Sequence, residues 1–328
     1  ILEELPNRNI VSWNALIAGY VQHGQGHEAL DCFAQIQQDG LSPDGITLTC
    51  ILKACGITKA IDRGKQIHDQ IVRRGLLQKD KVIGTALVAM YAKCGALAKA
   101  QKVLQELSIR DVVSWSALIA GYVDEGLDHE ALNCYEKMQR DGFSPNDVTL
   151  ISVLKACGSI QSIAKGQRIH DEIVGRGLLE KNIALCNALV GMYAKCGALS
   201  KASEVLKDLH VRNTISWNAV ISGYTQGSQS HEALDCFAQM QKEGVSPDEI
   251  TFTCIVKACA SINDVERGKQ IHDEIVMRGW QKGNIVLGTA LVDMYAKCGM
   301  VAKAEEILQE FCVRDKVSWS ALISGYAQ

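Results

Sequence analysis

Thirteen cysteines and eight histidines are the side chains of this 328-residue chain best suited to bind a metal or attack an electrophile. The cysteines fall into a pattern. Cys32, Cys134 and Cys236 lie 102 residues apart, as do Cys55, Cys157 and Cys259, and Cys94, Cys196 and Cys298. Cys50 and Cys254 differ by twice that spacing, and Cys186 and Cys312 stand alone. No Cys-x-x-Cys pair occurs, which removes the usual zinc and dithiol spacings. Set in Lys-Ala-Cys and Ala-Lys-Cys-Gly, cysteine reads as a compact apolar side chain, and its free use favours a reducing compartment. His170-Asp171-Glu172 and His272-Asp273-Glu274 mimic the His-x-Glu half of a zinc deaminase, but the Pro-Cys-x-x-Cys half is absent, so no zinc-activated water can be assembled. Gly64-Lys65-Gln66 lacks the Ser or Thr and the upstream glycine of a phosphate loop. Asp62 and Glu266, near helix starts, read as dipole partners rather than acids. The expectation is no enzyme, no metal and no cofactor.

The elements that carry these residues follow from composition and repetition. Lys plus Arg is 34 and Asp plus Glu is 37, a net charge of −3, which excludes a strongly basic nucleic-acid glue and an acidic disordered tail. Apolar residues make up 47% and mean hydropathy is +0.02, enough for a large core, while 4 prolines lean the chain towards helix. No run approaches the ~18 apolar residues of a membrane span. Ile1 in place of Met and a stop in mid-pattern at Gln328 read as a fragment, with any targeting peptide outside it.

Trp13, Trp115, Trp217 and Trp319 are each 102 apart, and so are Met90, Met192 and Met294, each of which opens Met-Tyr-Ala-Lys-Cys-Gly. Every 102 residues hold three related units. The tryptophan unit, 10–44, carries Ser-Trp-Asn-Ala-Leu-Ile, His-Glu-Ala-Leu and Gly-Leu-Ser-Pro-Asp. The cysteine unit, 45–80, carries Lys-Ala-Cys and Gly-Lys-Gln-Ile-His; the tyrosine unit, 81–111, carries Met-Tyr-Ala-Lys-Cys-Gly. The set repeats as 112–146, 147–182 and 183–213, then as 214–248, 249–284 and 285–315, with partial units at 1–9 and 316–328. Each unit reads as two helices. Trp13, Leu16, Ile17 and Tyr20 share one helical face, Gly24 and Gly26 break that helix, and Ala29, Leu30, Phe33 and Ile36 form a second stripe. In the tyrosine unit Lys93-Cys94-Gly95 makes the turn before Ala100, Val103, Leu104 and Leu107. A lone hairpin cannot bury its own stripe, so neighbours must stack. The expected fold is all-α, a single right-handed superhelical solenoid of helix-turn-helix repeats over 1–328.

The three unit types resemble pentatricopeptide repeats of the P, L and S variants, in P-L-S order. Lys-Ala-Cys with Gly-Lys-Gln-Ile-His resembles the L variant, and Met-Tyr-Ala-Lys-Cys-Gly the S variant. The Trp-x-x-Leu-Gly signature of tetratricopeptide repeats follows none of the periodic tryptophans. Residues 10–44 and 214–248 share 23 of 35 positions, the uniformity of a consensus-designed array or of a recently duplicated one.

The resemblance implies single-stranded RNA binding, roughly one base per repeat, with the N-terminus towards the RNA 5′ end. It implies readout by the fifth and last residues of each repeat. The chemistry of those positions can be argued separately. Asp only accepts hydrogen bonds, which suits the ring N–H of U or G; Asn also donates, which suits the ring nitrogen of A or C. A short hydroxyl at the fifth position leaves room for a purine, whereas Asn reaches a pyrimidine. Asn14 with Asp44 then favours U, Thr85 with Asp111 favours G, and Ser116 with Asn146 favours A. Asn187 with Asn213 points to C with U tolerated, Asn218 with Asp248 to U, and Thr289 with Asp315 to G. In the L units Ile151 cannot bond a base edge, and Thr49/Asp80 and Thr253/Asn284 belong to a variant that follows the code poorly, so these bases stay unspecified. The expected target is 5′-UnGAnCUnG-3′.

The second residue of each unit is apolar: Val11, Ile46, Val82, Val113, Val148, Ala184, Ile215, Ile250 and Val286. The resemblance makes these wedges between successive bases, with Val11, Val82, Val113, Ala184, Ile215 and Val286 serving the coded positions; packing at the helix start is the competing reading. Lys53, Lys93, Lys155, Lys195, Lys257 and Lys297 recur on first helices, either as a phosphate track or as a solvated face. The resemblance further implies a chloroplast or mitochondrial home, a place in C-to-U RNA editing, and a helper of the multiple organellar editing factor group (MORF/RIP) docking on L units. The rival is a protein-docking scaffold without base readout. It gives no reason for variation confined to the fifth and last positions.

Overall fold

The computed structural model describes residues 9–179, 182–209, 211–280, 284–310 and 316–326. Among the described residues the chain forms nineteen α-helices and no strand. It divides into two bodies, within residues 1–156 and 157–328. The first holds α1 (Ile10–Gln22), α2 (Gly26–Gln38), α3 (Gly45–Thr58), α4 (Ile61–Arg73), α5 (Lys81–Lys93), α6 (Leu97–Glu106), α7 (Val112–Asp124) and α8 (Asp128–Arg140). The division falls inside α9 (Asp147–Ser159). The second holds α10 (Ile163–Gly175), α11 (Ile183–Lys195), α12 (Leu199–Asp208), α13 (Thr214–Gln226), α14 (Ser230–Lys242), α15 (Glu249–Ile262), α16 (Val265–Met277), α17 (Ile285–Lys297), α18 (Val301–Glu310) and α19 (Lys316–Tyr326).

A short polar side chain starts each first helix whose cap lies among the described residues. Asp44 accepts from the Thr47 N–H at 2.8 Å, and the Thr47 hydroxyl accepts from the Asp44 N–H at 3.2 Å. The same reciprocal box joins Asn9 to Ser12, Asp111 to Ser114, Asn213 to Ser216 and Asp248 to Thr251. Each such cap is worth about 1 kcal/mol. Asp80, Asn182 and Asn284 cap α5, α11 and α17 with no returning hydroxyl, because Ile83, Leu185 and Leu287 stand three residues on.

Within 1–156, α1, α3, α5 and α7 lie side by side as one layer; α2, α4 and α6 each pack on the first helix of their own hairpin and on the next one, and α8 packs on α7. Within 157–328, α11, α13, α15, α17 and α19 form the equivalent layer. Trp13 and Trp115 are buried in the first layer and Trp217 in the second, as expected, whereas Trp319 on α19 is 48% exposed. One expected turn residue has another job. Gly24 turns the chain at φ +73°, but Gly26 is the first residue of α2, where a Cβ would stand 2.6 Å from the Thr58 methyl; its smallness lets α2 close on α3.

The strings that mark the cysteine and tyrosine units are two halves of one contact. A Cβ on Gly64 would lie 2.5 Å from Met90 Sδ, and Gly268 faces Met294 in the same way. His68 Nδ1 lies 3.0 Å from Tyr91 Oη, and His170 with Tyr193 and His272 with Tyr295 repeat the pair at 2.9 and 3.0 Å. Cys94 Sγ donates to the Cys55 carbonyl at 3.6 Å. These histidines pack against tyrosine as second-helix core residues. The described cysteines are all free, and burial pushes the Cys55 thiol up to about 11 and Cys134 and Cys259 to about 12, so they stay protonated packing groups. Asp62 and Glu266 sit in first turns and pair with Lys65 and Lys269.

Candidate nucleic-acid interface

The fifth residue of a unit lies on its first helix, and the last residue caps the first helix of the next unit, so side-by-side packing of first helices brings the two together. Asn14 Nδ2 donates to both carboxylate oxygens of Asp44 at 3.0 Å. Thr85 Oγ1 donates to Asp111 at 3.2–3.3 Å, and Ser116 Oγ lies 3.1 Å from Asn146 Oδ1 while its closest acceptor is the Val112 carbonyl of its own helix at 2.6 Å. In the second body Asn218 Nδ2 donates to Asp248 Oδ1 at 2.9 Å. Asn187 is not joined to Asn213; its Oδ1 is buried with no hydrogen-bond partner among the described residues. Thr289 Oγ1 donates to the Ile285 carbonyl at 2.8 Å, and Asp315 lies outside the described residues. In the cysteine units Thr49 and Thr253 turn their hydroxyls into their own helices, onto the Gly45 and Glu249 carbonyls at 2.8 and 2.7 Å.

The cap sets what each last residue offers outward. The Thr149 N–H donates to Asn146 Oδ1 and the Ser216 N–H to Asn213 Oδ1, each at 2.9 Å. Turning either amide over would set N–H against N–H, so the cap holds Oδ1 inward and Nδ2 outward as a donor. Asp44, Asp111 and Asp248 use Oδ1 for the same cap, which leaves Oδ2, joined to Asn14 in Asp44 and to Thr85 in Asp111, as the carboxylate oxygen with acceptor capacity to spare. Burial raises the Asp44 carboxyl, but bonds accepted from the Thr47 N–H and hydroxyl, Asn14 and the Ile46 N–H outweigh it and hold the pKa below the usual value. Asp248 is lowered against its own burial by the equivalent bonds from Thr251, Asn218 and Ile250. Asn and Asp are equally good caps. Capping therefore explains why the position is Asn or Asp and leaves open which of them is used.

Beside each cap stands an exposed apolar side chain. Val11 is 71% exposed, Val113 57%, Ile215 65% and Val286 64%; Ile46, Val82, Val148, Ala184 and Ile250 are exposed as well. Packing at the helix start is thereby excluded for the second residue. On a helix, positions 2, 5, 9 and 13 fall within one face. Lys53, Lys155 and Lys257 are ninth, Lys93, Lys195 and Lys297 thirteenth, and all six are exposed on the face that carries the apolar side chains and the polar pairs. Lys297 differs from its counterparts in being paired to Asp293 at 2.8 Å.

Sequence reasoning missed three residues of this face. Thr47, Thr149 and Thr251 are wholly buried, and each hydroxyl sits 2.6 Å from the side-chain oxygen of the preceding unit's fifth residue: Asn14, Ser116 and Asn218. Their signal in the sequence was a threonine recurring at the third position of every cysteine unit.

The PPR repeat family profiles match residues 8–56, 110–159, 184–213, 212–261, 250–280 and 289–315. The chain belongs to the pentatricopeptide repeat family. A chloroplastic pentatricopeptide repeat-containing protein of Arabidopsis thaliana is 36% identical over 324 residues, 99% of this chain and 52% of its own length. A mitochondrial one from the same plant is 35% identical over 329 residues, 100% of this chain and 47% of its own. The chain thus spans about half the length of these pentatricopeptide repeat relatives, whose locations are the two organelles expected from the sequence. Among solved structures, the pentatricopeptide repeat protein PPR10 in complex with an 18-nt psaJ RNA element superimposes with a TM-score of 0.82 at 19% identity, over 99% of this chain and 49% of that one. PPR10 from maize superimposes at 0.71 over 98% of this chain and 52% of that one, again at 19% identity. At that identity the likeness establishes the all-α repeat fold.

Proposed function

We propose that the chain is a sequence-specific single-stranded RNA-binding module built of P, L and S pentatricopeptide repeats, of the kind that guides organellar C-to-U editing, with target 5′-UnGAnCUnG-3′. One observation carries the reading. The capping residue alternates between Asp and Asn, which are equivalent for the helix and opposite in the atom they turn outward. A scaffold that docks proteins has no use for that difference. A base reader does, because the ring nitrogen of U and G donates while that of A and C accepts. The exposed apolar residue next to each cap supplies a surface for the face of a base, and the lysines supply charge for the phosphates. Half-exposed Val72 and Val174, on the second helices α4 and α10, leave apolar surface on the layer away from the readers for a multiple organellar editing factor protein docking on L units.

Fluorescence anisotropy with the nine-base RNA, against one with its six coded bases permuted and across a salt series, tests the reading. Preference for the coded RNA supports it. Equal, salt-sensitive binding to both overturns base readout and favours the docking scaffold.

A further inference from the structure

Every first helix of a tryptophan or cysteine unit has a hydroxyl three residues after its cap, and the two unit types use it differently. In the tryptophan units Ser12, Ser114 and Ser216 turn Oγ back to donate to the carbonyl of their own cap residue, each at 2.8 Å. That closes the box locally and touches nothing else. In the cysteine units the hydroxyl reaches forward instead. Thr47 Oγ1 accepts from the Asp44 N–H and lies 2.6 Å from Asn14 Oδ1; Thr251 Oγ1 does the same between Asp248 and Asn218. With its oxygen held by a hydroxyl donor, the amide of Asn14 has one orientation left, Nδ2 on the Asp44 carboxylate. Thr149 joins Ser116 and Asn146 at 2.6 and 2.9 Å. Where no such threonine follows, the fifth residue is less held. Asn187 is followed by Ser216, which points away from it, and its Oδ1 is buried without a partner. The cysteine units are followed by Ile83, Leu185 and Leu287, which have no hydroxyl at all.

Resting on the base-reading proposal, we infer that Thr47, Thr149 and Thr251 are positioning residues for the reader pair of the preceding repeat, so that base discrimination at a P unit depends on a side chain contributed by the L unit after it. Among the described residues the three P-unit pairs are locked by a buried hydroxyl, the S-unit pairs Thr85/Asp111 and Asn187/Asn213 have none, and the L-unit residues Thr49 and Thr253 lack both a hydroxyl from the next unit and a bond between fifth and last residue. Discrimination should fall in the order P, S, L for that physical reason.

The test compares the unaltered chain with Thr47→Val and Thr47→Ser on the coded nine-base RNA and on versions carrying C, A or G at the first base or A at the third. Valine keeps the volume and removes the hydroxyl; serine restores it. The expected result is a loss of about fivefold or more in the preference for U at the first base with Thr47→Val, the size of one hydrogen bond. Preference for G at the third base, read by Thr85 and Asp111, should be unchanged, and Thr47→Ser should retain the preference for U. A merely structural role would lower affinity for all RNAs alike. Thr149→Val and Thr251→Val repeat the test at independent junctions if one variant folds poorly. Retention of the full first-base preference by Thr47→Val, in a chain that otherwise discriminates, overturns this inference alone; no coded preference in the unaltered chain overturns it together with the proposed function.

Discussion

Asp44→Asn separates the two roles of the cap. Asparagine and aspartate cap helices to within a few tenths of a kcal/mol, so α3 should keep its start, while loss of the Asn14 Nδ2 bond to Oδ2 should lower stability by about 1 kcal/mol and leave the chain folded. The outward atom changes from the acceptor Oδ2 to a donor. Against U, whose ring N–H also donates, the hydrogen bond is lost and two donors face each other, a penalty of about 1–3 kcal/mol, or roughly 5- to 150-fold in affinity. Against C, whose ring nitrogen accepts, the new donor finds a partner. Anisotropy with nine-base RNAs carrying U or C at the first position should therefore show a reversed ratio, with Asp44→Ala as the control that loses the cap and reads neither base. The chain has a natural precedent for two amides at one junction in Asn187 and Asn213. If Asp44→Asn keeps the preference of the unaltered chain, the outward atom does not read the base and the polarity argument fails, however well the protein folds.

Three further expectations follow from single contacts. Ser228 holds φ +57° where the other tryptophan units have Gly24 and Gly126, so Ser228→Gly should stabilise the chain by about 1 kcal/mol and raise the midpoint of a thermal melt by a few degrees. Asp293 neutralises Lys297 on the reader face, so Asp293→Ala should tighten RNA binding and steepen its salt dependence, while Lys297→Ala should cost less affinity than Lys93→Ala; equal costs would remove the lysines from the RNA path. Burial lowers the pKa of His68 and of His170 from the ordinary 6.5. The unfolded chain then takes up protons first, so stability is full above about 6.5 and falls as pH drops below it. Melts at pH 7.5 and 5.5 should show this loss, and His170→Gln should reduce it; an unchanged pH slope in that variant would contradict the assignment.

Fold and face differed in how far they could be read in advance. The 3.6-residue stripes of Trp13, Ile17, Phe33 and Ile36 lead directly to buried helix faces, since burial follows periodicity. Gly26 was misread as a helix breaker because a close approach between helices leaves the same signature as a turn. Val11 and Ile215 gave equal support to core packing and to exposure, because one apolar residue at a helix start has no period, and only the stacked structure separates the two. The pairing of Asn14 with Asp44, 30 residues apart, is a consequence of side-by-side first helices that no local pattern contains. The direction of the Thr47 hydroxyl is harder still, since Ser114 at the equivalent position of a neighbouring unit turns the other way.

The account stands most directly on a selection. The chain, immobilised, is presented with a random single-stranded RNA pool and the bound fraction is sequenced. The account predicts enrichment of U-n-G-A-n-C-U-n-G, strongest at U and A of the P units and flat at the positions opposite the L units. A bound pool with the composition of the input, or one whose strongest positions lie opposite the L units, would contradict it.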